Sequence, residues 1–211
     1  TVILNSAYWG QCDSIYTTFI ILTLLYLYRE KYHRAFMFLG IAFAFKMQTI
    51  FIFPFIICFY IYKKQFSIFE LLITVFTFWI SGIGAFVQGR SLLDPFRIYA
   101  NQTGTYQYMH VNFPSFWMFV GNDYEWLKTA AIVMAAGICG MGLYIIMKRK
   151  LDCSRPENFV NIASWFIWTC VLFLPAMHER YAYPLEILLV ILTCINKDYL
   201  KYSSVAILFS L

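Results

Sequence analysis

The chain reads as long apolar runs cut by short polar breaks. Residues 15–28 are apolar, and Arg29-Glu30-Lys31-Tyr32-His33-Arg34 ends that run. Residues 35–45 are apolar but too short to cross a bilayer straight. Lys46-Met47-Gln48 interrupts, and residues 49–62, with Pro54 among them, run apolar to Lys63-Lys64. Residues 68–87 make a full-length run, and a polar and aromatic stretch follows over 88–126. Further runs cover 127–147, 159–176, 183–196 and 202–211. A helical span needs roughly 20 apolar residues at about 1.5 Å each. The pattern predicts an all-α, polytopic transmembrane bundle, one domain over 1–211, with 88–126 as one long outer-face loop. A single straight helix over 35–62 would be about 42 Å long and would carry Lys63-Lys64 to the far side. A broken or re-entrant pair, 35–45 with 49–62, is expected instead, with irregular backbone buried in protein or lining water. No fixed-period repeat, low-complexity tract or soluble second domain is evident.

Composition and charge agree with this picture. Hydrophobic residues make up 61% of the 211 and charged residues only 13%, too few for a soluble surface. The distribution of the basic residues says more than the net charge of +5. With the Arg29–Arg34 turn in the cytoplasm, Lys63-Lys64, Lys148–Lys150 with Arg155, and Lys197 with Lys201 fall there too, eleven of the sixteen Lys and Arg. Arg90, Arg97, Lys128 and Arg180 fall outside, and Lys46 lies at membrane depth. Cytoplasmic loops retain Lys and Arg, so the reverse orientation is rejected. The expected location is a multi-pass position in a bacterial plasma membrane, or in the ER membrane of a eukaryote. Membrane topology accounts for the basic residues, so nucleic-acid binding has no support. The chain opens on Thr1 and both ends sit in apolar stretches, which reads as an internal piece of a longer protein with no visible signal peptide. Of six cysteines, Cys58, Cys139, Cys170 and Cys194 fall in apolar runs and none forms Cys-x-x-Cys, as expected of small buried hydrophobes.

Three segments with chemical potential share the predicted outer face. Asn5 to Ser14 is polar and aromatic, and Asp13 stands where an apolar run begins; a helix cap is the plain alternative. Lys46 is expensive at a helix centre, about 2.5–3.5 kcal/mol on insertion scales. It reads either as a snorkelling side chain or as a fixed cation in a wet cavity, with Gln48 beside it. Met177-His178-Glu179-Arg180-Tyr181 gathers three ionisable groups in a short turn, a set able to hold a phosphate and manage a proton, or else a solvated Glu–Arg pair. The outer stretch adds Asp94, Arg97, Tyr99, Gln102, Tyr106, His110, Asn112 and Trp117. These are interfacial anchors or the walls of a sugar groove. Asn101-Gln102-Thr103 is a formal glycosylation acceptor. No two histidines stand at metal-ligand spacing, so no zinc site is expected. P-loop, Rossmann, Gly-x-Ser-x-Gly and His-Glu-x-x-His patterns are all missing.

Together the segments resemble a known group. Trp9-Gly10-Gln11 followed by Asp13-Ser14, Phe45-Lys46-Met47-Gln48 leading to Pro54, the stretch Tyr99 to Gly121, and Leu174 to Tyr181 are similar to bacterial integral-membrane relatives of the second mannosyltransferase of GPI-anchor synthesis, in the GT-C superfamily of glycosyltransferases. The likeness covers most of residues 5–186. It implies transfer of a mannose-like hexose from a polyprenyl or dolichyl phosphate donor to a glycan, glycolipid or protein acceptor on the extracytoplasmic face, with membrane lipids as surroundings and the lipid-linked sugar as the only cofactor-like partner. By position, Lys46, Gln48, His178 and Arg180 would contact the donor phosphate. Trp9, Gln11, Asp13, Glu179, Tyr181, Gln102, Tyr106 and Asn112 would line the site. The general-base carboxylate of this superfamily sits in a first outer loop that this stretch lacks, leaving Asp13 as a weak substitute and the piece alone expected to be inactive. The residues neither require nor exclude a divalent metal. A secondary transporter, which would explain the broken pair and Lys46, an O-antigen polymerase or ligase, and a structural membrane subunit are the alternatives.

Overall fold

The computed structural model describes Tyr8, residues 10–102 and residues 106–210. These residues are overwhelmingly helical. Among them no strand occurs, and one isolated parallel bridge joins His110 to Met177. The α-helices are α1 (Asp13–Tyr28), α2 (Tyr32–Phe45), α3 (Phe53–Lys63), α4 (Leu71–Ile80), α5 (Ile83–Val87), α6 (Asp94–Gln102), α7 (Tyr124–Arg149), α8 (Pro156–Phe173), α9 (Tyr183–Ile195) and α10 (Leu200–Ser210). Among the described residues the 26-residue α7 is the one helix long and apolar enough to cross a membrane; α1 and α2 are among the shorter apolar helices. The described residues fall into two compact units, one within Thr1–Ile50 and Lys64–Tyr106, the other within Phe51–Lys63 and Gln107–Leu211.

In the first unit α1 and α2 form an antiparallel hairpin. Phe19 stacks on Phe45 and Tyr26 on Phe38, with ring centroids 5.7 and 5.3 Å apart. The connecting turn closes with Glu30 in the left-handed region (φ 57°) and Lys31 N–H donating to Tyr26 O at 2.9 Å, the hydrogen-bond pattern of a Schellman end. Helix α4 packs against α2 in the same direction. His33 Nδ1 lies 2.6 Å from Glu70 Oε2, and Thr74 Oγ1 donates to Phe36 O at 2.9 Å. Gly40 permits the close approach, since a Cβ there would stand 2.6 Å from Thr74 O and 2.7 Å from Thr77 Cβ. Two neighbouring helices that run the same way require the chain between them to return. Phe66 lies back beside Tyr32 and Phe36, 5.2 Å from each ring. The chain that leaves α2 therefore comes back to the start of α2 by Phe66. The backbone leaves the helix at Lys46, extended at φ −158° and ψ 132°, and continues as a 3₁₀ turn over Met47–Ile52.

Two expectations are refined here. The run 68–87 is divided into a 3₁₀ turn (Ile68–Glu70), α4 and α5, with a break at Ser81-Gly82. Ser81 Oγ bonds back to Thr77 O at 2.8 Å, and Ser/Gly pairs are frequent kink sites. The stretch 88–126 is more than a loop: it holds α6, a 3₁₀ turn over Phe116–Phe119 and the start of α7.

In the second unit α8 is flanked by α3, α7 and α9. Phe159 meets Phe55 and Phe59 edge-on, both at 89°, at 5.1 and 5.5 Å, a favoured aromatic geometry. Tyr62 Oη donates to Leu151 O at 2.8 Å. The basic end of α3 thus sits beside the Lys148–Arg155 turn, and the bridge at Met177 lies past the opposite end of α8. Helix α10 folds back along α9, with Ser203 Oγ donating to Leu189 O at 3.2 Å.

Candidate functional site

Asp13 is the first residue of α1, following the N-cap Cys12, which makes no side-chain cap bond. It is fully buried, and its carboxylate accepts the Lys46 ammonium, whose side chain is 15% exposed. The ammonium also stands 5.3 Å from the Tyr16 ring centroid, in cation–π range. The lysine expected at membrane depth therefore has a counter-charge from its own chain. The extended residue that breaks the helix is the residue that makes the pair. Thr17, one turn after Asp13, and Thr49, in the 3₁₀ turn after Lys46, are buried, and neither hydroxyl has a hydrogen-bond partner among the described residues. Gln11 and Gln48 are half-buried. Trp9 lies outside the described residues, as does Thr103 of the glycosylation triplet.

The second cluster is built on the turn between α8 and α9. Ala176 takes φ 60°, and its N–H donates to Tyr108 O at 3.0 Å, while Val111 N–H donates to Met177 O at 3.1 Å. Trp117 Nε1 adds a bond to Phe173 O at 2.8 Å, where α8 ends. On the other side Asn122 Oδ1 accepts from Met109 N at 2.6 Å and His110 N at 3.3 Å. The turn is strutted by the preceding outer stretch rather than left in solvent. His178 is 8% exposed and meets Tyr181 edge-on at 5.1 Å. Glu179 opens a 3₁₀ turn (Glu179–Ala182) that carries Arg180 and leads into α9. Glu179 Oε2 is buried and has no hydrogen-bond partner among the described residues. Burying a carboxylate oxygen without a donor is costly, so the turn spends stability on holding ionisable groups in place. A solvated loop with an exposed Glu–Arg pair does not describe it.

The structure thus joins Asp13 to Lys46 in one unit and gathers His178, Glu179, Arg180 and Tyr181 in the other. Gln102 closes α6 and is exposed, as is Tyr106. Asn112 is an exposed residue at φ 55°, a backbone geometry that asparagine tolerates. Two residues that the pattern did not single out belong with the turn. Glu186, in the first turn of α9, is 5% exposed; a charge inside the apolar run 183–196 was the available signal. Asn122 gave no signal, because its role is to bond backbone groups a dozen residues away. Among the described residues no three His, Cys, Asp or Glu side chains group closely enough to hold a metal ion. No family model, curated protein or solved structure matches the chain.

Proposed function

We propose that this chain is part of a multi-pass membrane glycosyltransferase that moves a mannose-like hexose from a polyprenyl or dolichyl phosphate to an acceptor on the extracytoplasmic face. The observation that carries the reading is the strutted turn: His178, Glu179 and Arg180, held by backbone bonds from residues 108–111 and by Trp117. A departing lipid phosphate gains charge as the glycosidic bond breaks, and cations fixed before the reaction lower that barrier. A guanidinium forks onto phosphate oxygens, and a ring N–H of His178 can donate a hydrogen bond to the same group. Glu179 lies beside Arg180 in the 3₁₀ turn, and Glu186 lies in the first turn of α9.

The topology supports the same reading. In the first unit Phe66, two residues after Lys64, lies beside Tyr32 in the Arg29–Arg34 turn. In the second, Lys63 ends the helix whose Tyr62 reaches Leu151. The basic clusters thus share one end of each unit, as cytoplasmic retention of Lys and Arg requires, and the His178 turn lies at the other end of α8. Asp13 and Lys46 are assigned a supporting role. A fully buried, paired carboxylate is poorly placed to deprotonate an acceptor hydroxyl.

The broken helix at Lys46 also suits a transporter, and one assay separates the two. Membranes holding the full-length protein receive polyprenyl-phosphate mannose labelled in the sugar. A transferase moves label from the lipid to an acceptor. A transporter leaves the sugar–lipid bond whole, and label that stays on the lipid with every donor sugar tried would refute the proposal.

A further inference from the structure

We propose that the first unit carries a binding groove for the phosphodiester headgroup of an anionic phospholipid, with Arg90 and Arg97 as its cations. The inference rests on the membrane reading above but not on the transfer reaction, and it uses residues of the first unit alone.

The groove has a volume of about 660 Å³ and lies among α4, α5 and α6. Its walls are apolar at Phe78, Phe86 and Pro95, and polar at Ser81, Tyr99 and Asn101. Local sequence fixes it. Helix α5 ends in a Schellman motif: Gly89 at φ +86° donates to Phe86 O at 3.0 Å, and Arg90 N–H donates to Ala85 O at 3.1 Å. Only glycine adopts that backbone freely, so Gly89 sets where Arg90 begins. Trp79 Nε1 donates to Leu92 O at 3.0 Å and ties the linker before α6 to α4. Gly82 matters for space, since a Cβ there would stand 2.9 Å from Phe86 Cζ and 3.2 Å from Pro95 Cγ.

The charges in the groove leave one net positive charge: two guanidinium groups and one carboxylate, Asp94. The Arg97–Asp94 pair is long, 3.8 Å, and exposed, so it contributes little. No carboxylate lies within ion-pair distance of Arg90 among the described residues. A phosphodiester carries one negative charge, and arginine binds it through a fork. Apolar flanks point to a lipid rather than a free anion. Val87 is 83% exposed, and Leu92, Leu93 and Ile98 are each more than half exposed beside the two cations. In α6 the polar and apolar side chains separate onto different faces, the arrangement of a helix lying in the headgroup layer. Anionic lipid beneath such a helix gains from each basic side chain.

The test uses the full chain in phosphatidylcholine bilayers that contain a minor fraction of lipid brominated in its chains, either phosphatidylglycerol or phosphatidylcholine. Bromine quenches nearby tryptophan, and Trp79 packs against the groove wall at Phe86, 5.4 Å between centroids with the rings tilted at 35°. A Trp79→Phe variant subtracts the other tryptophans. Quenching of Trp79 by brominated phosphatidylglycerol should exceed that by brominated phosphatidylcholine, and R90Q/R97Q should weaken the preference about tenfold or more. Equal quenching by the two lipids in the unmodified chain would overturn the proposal without any variant. So would an undiminished preference in R90Q/R97Q with unchanged helicity. Failure of the unmodified chain to float with bilayers would overturn this proposal and the membrane reading together.

Discussion

Asp13 and Lys46 lie 33 residues apart, and their pairing explains both of them. A buried pair is weak support for stability, but breaking one leaves a bare buried charge. Lys46→Met should therefore destabilise the first unit by about 3–5 kcal/mol. Adding Asp13→Leu should restore most of that loss, because the orphaned charge is gone. Equilibrium unfolding of the two single variants and the double variant in detergent measures the coupling, and additive losses would refute it. Tyr99 provides a test by pH. Its hydroxyl donates to Phe43 O, and burial first, with the nearby Cys12 second, pushes its pKa up to about 12 from 10.0. Its folded-state pKa is raised, so its stabilisation is whole below the ordinary value and is lost as pH rises through about 12. Alkaline difference absorbance should show a late-ionising tyrosine component that Tyr99→Phe reduces. The pattern of residues named Asp13, Lys46, His178 and Arg180 as unusual, because ionisable groups in apolar runs stand out. Their partners were not legible, since a carboxylate's counter-ion is set by how helices pack and not by neighbours in the chain.

At the scale of elements, runs at 15–28, 35–45 and 183–196 foretold α1, α2 and α9 to within a few residues. The break in the helix after residue 45 was legible from length and charge alone. The break at Ser81-Gly82 and helix α6 were not. Four polar or charged residues in α6 disguise it as loop, and hydropathy does not register a kink whose flanks are both apolar. The parallel packing of α2 on α4 depends on Gly40. A methyl there meets backbone at Thr74 O, which cannot swing aside. Gly40→Ala should cost about 1–3 kcal/mol as overpacking, despite the better helix propensity of alanine. Thermal unfolding measures the balance, and a stabilised variant would show that the two helices separate freely.

For the molecule as a whole, the all-α class followed from the length of the apolar runs. Single cysteines placed at Lys31 and Lys150 should be labelled by impermeant maleimide only after membranes are opened. A cysteine at Asn112 should be labelled in intact cells. Labelling of all three from the same side would refute the crossing pattern. The most direct test of the central claim is sugar transfer from labelled polyprenyl-phosphate mannose by the full-length protein, its Arg180→Ala variant and its His178→Ala variant, at matched protein levels. Loss of a fixed donor to a developing oxyanion costs about 100-fold or more. The account predicts transfer by the unmodified protein and a loss of about that size in each variant; full transfer by both variants would contradict it.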